Sequence, residues 1–278
     1  MSTNVALQEL DFDLIVEDGV PLESWYHRLQ MVLFIELARW RMLELGHRDF
    51  FLNGNMFLYY SVEQARAVAE EERQLALFEA GLRPDKPKKT AYRGPDVMLV
   101  KDVPTHKREV WKVWEEGDRY PDLILELLSP STAGLDYGEK KRLYQDAFKT
   151  SEYFLYTPDS ETVDGFRLLD NAYQRIPRSP QGRPWSRELE VEVGVWHGEY
   201  DGQNARWLRL FHPDGSLVPT HYERAEKAEQ LAEQERRERE AAELRAEQER
   251  REKELARIEN ARLRARLAEL EGQDDGGS

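Results

Sequence analysis

The chain has 278 residues, a formal net charge of −14 and no cysteine. That length supplies one large domain or two small ones, and the missing cysteines exclude disulfides, thiolate-held zinc and cysteine nucleophiles, as suits a reducing compartment. The acidic opening MSTNVALQELDFDLIVEDG is no secretory signal and no apolar run nears the ~20 residues of a membrane span, so a cytoplasmic location without membrane contact is expected.

In chain order, the body reads as mixed α/β. Ser24 caps a helix to about Leu45, with Leu29, Val32, Leu33 and Leu37 on a broad apolar face and Gly46 as its stop. FFLNGNMFLYY (50–60) reads as two short strands about Asn53-Gly54-Asn55. Ser61 with Gln64 forms a capping box for a helix to about Leu82, and the Pro- and Lys-rich stretch 83–94 is a loop. PDVMLV (95–100) and DLILELL (122–128) are strands, residues 136–150 a helix, and 152–157 and 163–169 strands again. Short Trp- and Tyr-rich strands then lead to Pro219. Helices and strands in this order suit a mixed sheet flanked by helices.

Beyond Pro219 the composition changes. Glu223 to Glu271 holds 15 acidic and 13 basic residues, so the acid excess belongs to the body. No Gly or Pro interrupts the chain from Tyr222 to Leu270, and Ala, Glu, Arg, Leu and Gln dominate, which predicts one long charged helix over 222–271. Ala256, Asn260, Leu263, Leu267 and Leu270 step by four and three, a short coiled-coil seam that would pair two copies as a homodimer. A solvated single helix held by i,i+4 Glu–Arg pairs is the alternative. Residues 272–278, with Gly272, Gly276 and Gly277, are expected to form a flexible tail.

The chemistry points to PDLILELLSPST (121–132). A strand alternates faces, so Asp122, Ile124, Glu126 and Leu128 share one side, and Leu123, Leu125 and Leu127 the other. Apolar residues on both sides mark a buried strand. Glu126 there must be paired, protonated or bound to a cation: a salt bridge to an Arg is one solution, and a metal or catalytic role the other. Asp96 opens the strand Val97–Val100, and two adjacent strands could offer both carboxylates to one Mg²⁺. Lys140, Tyr144 and Phe148 fall at i, i+4 and i+8, one helix face, so Lys140 would point to the sheet if Tyr144 and Phe148 do. Ser129, Ser131 and Thr132 could donate to phosphate or form a Ser-Pro turn. No H-E-x-x-H, P-loop, G-x-G-x-x-G or G-x-S-x-G occurs. Net acidity disfavours coating of nucleic acid over the whole surface and leaves room for a local basic cleft.

GPD (94–96), PDLILELLSPST (121–132), Asp136, Lys140 and Tyr144 in one helix, and EYFLYTPD (152–159), in that order, resemble the Uma-two family of the PD-(D/E)XK nuclease superfamily. The likeness extends more loosely over VEDGVPLESWYHRL, GNMFLYYS, WKVWEEG and DGSLVPT, about residues 1–222. It implies a restriction-endonuclease-like core over 1–221, Mg²⁺ (Mn²⁺ as substitute), and hydrolysis of DNA phosphodiester bonds. By the same resemblance Asp96 and Glu126 are metal ligands, joined by the backbone carbonyl of Leu127. His27, Asp122, Ser129 and Tyr144 are accessory candidates. The lysine that the superfamily places two residues after the glutamate is here Leu128, and the resemblance assigns its role to Lys140. A nuclease fold without catalysis, binding partners through the C-terminal helix, is the competing reading; hydrolysis of another phosphoester is a third.

Overall fold

A computed structural model describes residues 14–15, 24–88, 91–129 and 133–274, with side chains to residue 266. The chain divides into two units, Met1–Thr220 and His221–Ser278. Among the described residues no helix is long and apolar enough to cross a membrane.

The body is a mixed α/β fold. Helix α1 (Trp25–Glu44) starts where the Ser24 side chain accepts the His27 N–H, and it ends at Leu45 before Gly46 at φ +86°. Strands β1 (Phe50–Gly54) and β2 (Leu58–Tyr59) follow, but they do not pair with one another. Helix α2 (Val62–Glu79) has Ser61 as its cap, with the Ser61 hydroxyl accepting from Gln64 N–H; Gln64 Oε1 accepts in turn from Tyr60 N–H, one residue before the position a capping box uses. The later strands are β3 (Val97–Lys101), β4 (Trp111–Lys112), β5 (Leu123–Leu127), β6 (Glu152–Thr157), β7 (Thr162–Leu169), β8 (Ala172–Arg175), β9 (Trp185–Ser186), β10 (Val191–Tyr200) and β11 (Gln203–Phe211).

Six strands form the central sheet in the order β1-β3-β5-β6-β7-β8. All neighbours are antiparallel except β5 and β6, which are parallel and joined by the helical segment 133–148. A parallel pair needs such a crossover. The second β layer is a three-stranded sheet, β11-β10-β9, and a parallel β2-β4 pair stands apart.

Alternation along β3 and β5 separates two cores. Val97, Leu99, Leu123, Leu125 and Leu127 pack with Leu33, Phe34 and Leu37 of α1 and Trp207 and Leu208 of β11. Met98, Val100, Ile124 and Leu128 pack on the opposite face with Tyr144 and Phe148 of the crossover segment and Trp111 of β4. Every residue of β5 is buried, Glu126 included, as a strand covered on both faces requires.

The crossover segment departs from the regular helix expected over 136–150. Ala133–Leu135 and Lys141–Leu143 are α-helical, but Asp136–Lys140 and Tyr144–Phe148 are π-turns. Such i→i+5 turns are rare and recur at functional sites. Lys149 at φ +54° closes the segment. Ser131 and Thr132 lie outside the described residues.

The second unit is one helix, His221–Asp274, with exposed side chains through most of its described length. It passes through Gly272, which was expected to end it. A single glycine costs about 1 kcal/mol relative to alanine, too little to halt a helix of strong formers. Asn260 Nδ2 donates to the Ala256 carbonyl of its own helix. The side chains of Leu267 and Leu270 and the residues 275–278 lie outside the described residues.

Candidate functional site

β3 and β5 run antiparallel with Val97 opposite Leu125, which brings the residue before β3, Asp96, to the level of Glu126. The backbone locks this register twice. Leu127 N–H donates to Asp96 Oδ2 at 2.6 Å, and Asp96 N–H reaches Glu126 Oε2 at 3.4 Å. The turn holding Asp96 depends on close backbone approach. A Cβ on Gly94 would stand 2.0 Å from the Met56 carbonyl oxygen, and one on Gly54 would stand 2.5 Å from that of Asp96. Neither position accepts another residue without movement of the loop.

Glu126 is 1 % exposed. Tyr144 hydroxyl donates to its Oε1 at 2.6 Å, and Lys140 Nζ lies 3.1 Å from its Oε2. Lys140 also meets Asp136 Oδ1 at 2.8 Å, so one ammonium is held between two buried carboxylates. The crossover segment supplies all three groups. Tyr153 on β6 pins its start by donating to the Asp136 carbonyl at 3.0 Å, and Tyr137 anchors it to Asp164 at 2.7 Å. The amine beside Glu126 therefore comes from the crossover segment. Leu128 itself is buried in the core.

On the other side of the sheet edge, α1 brings His27 Nε2 to 3.2 Å from Asp96 Oδ1. His27, Ser24, Leu127 and Ser129 line one small hollow of about 170 Å³ with Asp159. Ser129 is thus near Asp96. Asp122 is not: it precedes β5 at the far end, roughly 13 Å along the strand from Glu126 at ~3.3 Å per residue. Its Oδ2 accepts from Lys101 N–H at 2.7 Å, and its carbonyl accepts from Glu152 N–H at 3.0 Å. Sharing a face with Glu126 does not bring it to the same end of the sheet, so its place in the fold is structural. Lys141 packs its ammonium 3.6 Å from the centre of the Phe166 ring, apart from the acidic cluster.

Burial sets the electrostatics of the cluster. It raises Glu126 to about 8, with Asp96 and Asp136 adding to the rise while Lys140 and the Tyr144 hydrogen bond pull against it. Asp96 goes the other way: burial opposes ionisation, but the His27 and Leu127 hydrogen bonds and the nearby Lys140 charge hold it below the ordinary aspartate value. Lys140 loses solvation too, yet Glu126 and Asp136 outweigh that loss and keep it protonated far beyond neutral pH. Burial lifts the Tyr144 phenol well above its usual value, so it remains a donor. Two carboxylates with unlike proton affinities and a fixed cation are an arrangement that could stabilise charge developing on a bound oxyanion.

Among the described residues no three His, Asp or Glu side chains converge as a ligand cluster. Asp96 and Glu126 are the two carboxylates that could hold a hard divalent cation, with waters supplying the remaining ligands. Asp136 belongs to the motif that carries the family resemblance, but no site role attaches to it from the sequence. Read alone, it is an acid in the first turn of a helix; its i,i+4 spacing to Lys140 was the available signal. Tyr92, whose hydroxyl lies 3.4 Å from that of Tyr144, had no sequence signal beyond being aromatic.

Comparison with known proteins adds the following. The model of the family Uma2, described as "Putative restriction endonuclease", matches residues 55–202. A crystal structure from Anabaena variabilis ATCC 29413, described as a "putative nuclease belonging to DUF820", is 12 % identical, with 61 % of this chain and 76 % of that chain covered and a TM-score of 0.39. None of the curated proteins compared matches the chain.

Proposed function

Starting from a chain that belongs to the Uma2 family, whose match spans more than half its length, we propose a divalent-metal-dependent endonuclease that hydrolyses phosphodiester bonds in DNA. Asp96 and Glu126 would hold Mg²⁺, or Mn²⁺ in its place, with the backbone carbonyl of Leu127 and waters completing the shell. The ion would polarise the phosphate and lower the pKa of a bound water. Lys140 faces the same carboxylate and stays charged, so its part is to offset negative charge on the phosphoryl oxygens, not to accept a proton. Tyr144 and Asp136 fix Glu126 and Lys140, and His27 orients Asp96.

The observation that carries the reading is the 3.1 Å approach of Lys140 Nζ to Glu126 Oε2, on the strand next to the one that Asp96 opens. Tyr144 and Lys140 already satisfy the buried Glu126, so the second carboxylate, Asp96, at the same strand ends is more than burial alone needs. Plasmid and single-stranded DNA incubated with the full chain and Mg²⁺ or Mn²⁺ test it. Cleavage that EDTA stops and Lys140→Ala impairs is expected; DNA left intact under every condition overturns the proposal.

A further inference from the structure

Behind Lys140 lies a cavity of about 650 Å³, within the size range of sites that take small organic groups. Its walls come from α2, from residues 91–94 and from the crossover segment. Tyr60 and Tyr92 supply aromatic surface, and Ala67, Leu135 and Leu143 apolar surface. Tyr92 is held by edge-on contacts to Tyr144 and Phe148, with ring centres 6.0 and 5.7 Å away, and Tyr60 packs edge-on against Phe148 at 5.3 Å. The rings are therefore fixed platforms and not free side chains.

The charges around the cavity favour an uncharged occupant. Arg93 is paired with Glu71 and Glu72, each at 2.9 Å, and Lys140 is committed to Glu126 and Asp136. Glu139 stands on the exposed wall and would repel a phosphate. A flat neutral group stacked on a tyrosine ring meets none of these costs. Two features tie that group to a polynucleotide. Lys140 lines both the cavity and the acidic cluster, so an occupant adjoins the scissile phosphate. The chain entering the cavity wall also carries exposed Lys86 and Lys88, only three to five residues before Ala91, although the protein as a whole is strongly acidic.

We propose that this cavity takes a nucleobase next to the scissile phosphate, and hence that the preferred substrate is single-stranded or locally unpaired DNA. The inference rests on the endonuclease reading and narrows its substrate class. A base inside a duplex is stacked and cannot enter a side pocket without being extruded, whereas an unpaired base stacks on aromatic side chains whatever its identity.

The test uses the full chain and three fluorescein-labelled probes of 12 nucleotides: a single strand of thymidylate, a duplex, and a strand of abasic residues of equal charge. Binding is followed by anisotropy with Ca²⁺ in place of Mg²⁺. The single strand should bind at least fivefold tighter than the duplex and than the abasic strand, the scale of one stacked base. Ala67→Trp fills the cavity from an exposed position on α2 and should weaken single-strand binding fivefold or more while Mn²⁺ affinity stays unchanged; Tyr60→Ala should act in the same direction. Equal binding of the abasic strand, or no effect of Ala67→Trp, overturns the inference. Cleavage of duplex by a protein that neither binds nor cuts single strands also overturns it and leaves the endonuclease reading intact. Single-strand binding that depends on Ala67, with no cleavage in Mg²⁺, supports the cavity assignment and removes the endonuclease.

Discussion

Lys140 Nζ lies 2.8 Å from Asp136 Oδ1, one turn earlier in a π-helical stretch, and that contact aims the ammonium at Glu126. The wide turn lets the two side chains point along the same direction into the sheet. Asp136→Asn keeps the shape and removes the charge. We expect turnover at saturating Mn²⁺ to fall about tenfold or more, because a freed lysine is misplaced relative to the phosphate, while Mn²⁺ binds at least as tightly, since the lost charge was raising Glu126. Calorimetry and single-turnover cleavage on the same preparation separate the two effects.

At saturating Mn²⁺, Lys140→Ala should lower the cleavage rate by about 10²-fold or more, the loss seen when one oxyanion donor is removed. Lys141→Ala is the control. Its ammonium packs on Phe166, so it should lower thermal stability modestly and leave the rate nearly unchanged. Equal loss of rate in both variants would remove Lys140 from its special position.

The raised Glu126 pKa makes stability and metal binding depend on pH in opposite senses. In the metal-free protein the folded state holds this proton more tightly than the unfolded chain, so its contribution to stability is full below the ordinary value of 4.5 and is lost as pH rises through about 8. Metal binding needs the ionised form. Mn²⁺ affinity should therefore climb from pH 6 toward 8, by up to about tenfold per unit, and level off beyond. Asp96, held low, is already ionised throughout that range. Affinity independent of pH between 6 and 8 would show that Glu126 is ionised well below 8.

Residues 256–270 are proposed to pair two copies into a dimer. Of the seam residues with described side chains Leu263 is exposed, and about two heptads make a weak seam. Light scattering should give a dimer for the full chain at high concentration and a monomer for residues 1–220. A monomer in both cases would leave the helix solvated and alone.

Much of this was legible in the residues because local rules carried it. Ser24, Ser61 and Gly46 set the helix ends, and uninterrupted apolar residues on both faces of LILELL marked β5 as central. The alternation that put Glu126 against Tyr144 and Lys140 could be read from spacing alone. Asp122 was misplaced by the same alternation, since period two assigns a face and says nothing of which end of a strand faces the cleft. The π-turns were not legible: they arise from fitting the crossover between β5 and β6, a tertiary constraint that overrides helical propensity. The separation of β1 from β2 into different sheets likewise depends on partners more than forty residues away.

Glu126→Gln tests the central claim most directly. The substitution keeps volume and the oxygen that accepts from Tyr144, turns the oxygen facing Lys140 and the Asp96 N–H into an amide donor, and removes the ability to ionise. Calorimetry with Mn²⁺ at pH 8, where about half of the parent glutamate is ionised in the absence of metal, should show binding lost or weakened at least a hundredfold, with cleavage abolished and the fold retained by circular dichroism. Mn²⁺ binding by the variant as tight as by the parent would make the Asp96–Glu126 pair structural and contradict the account.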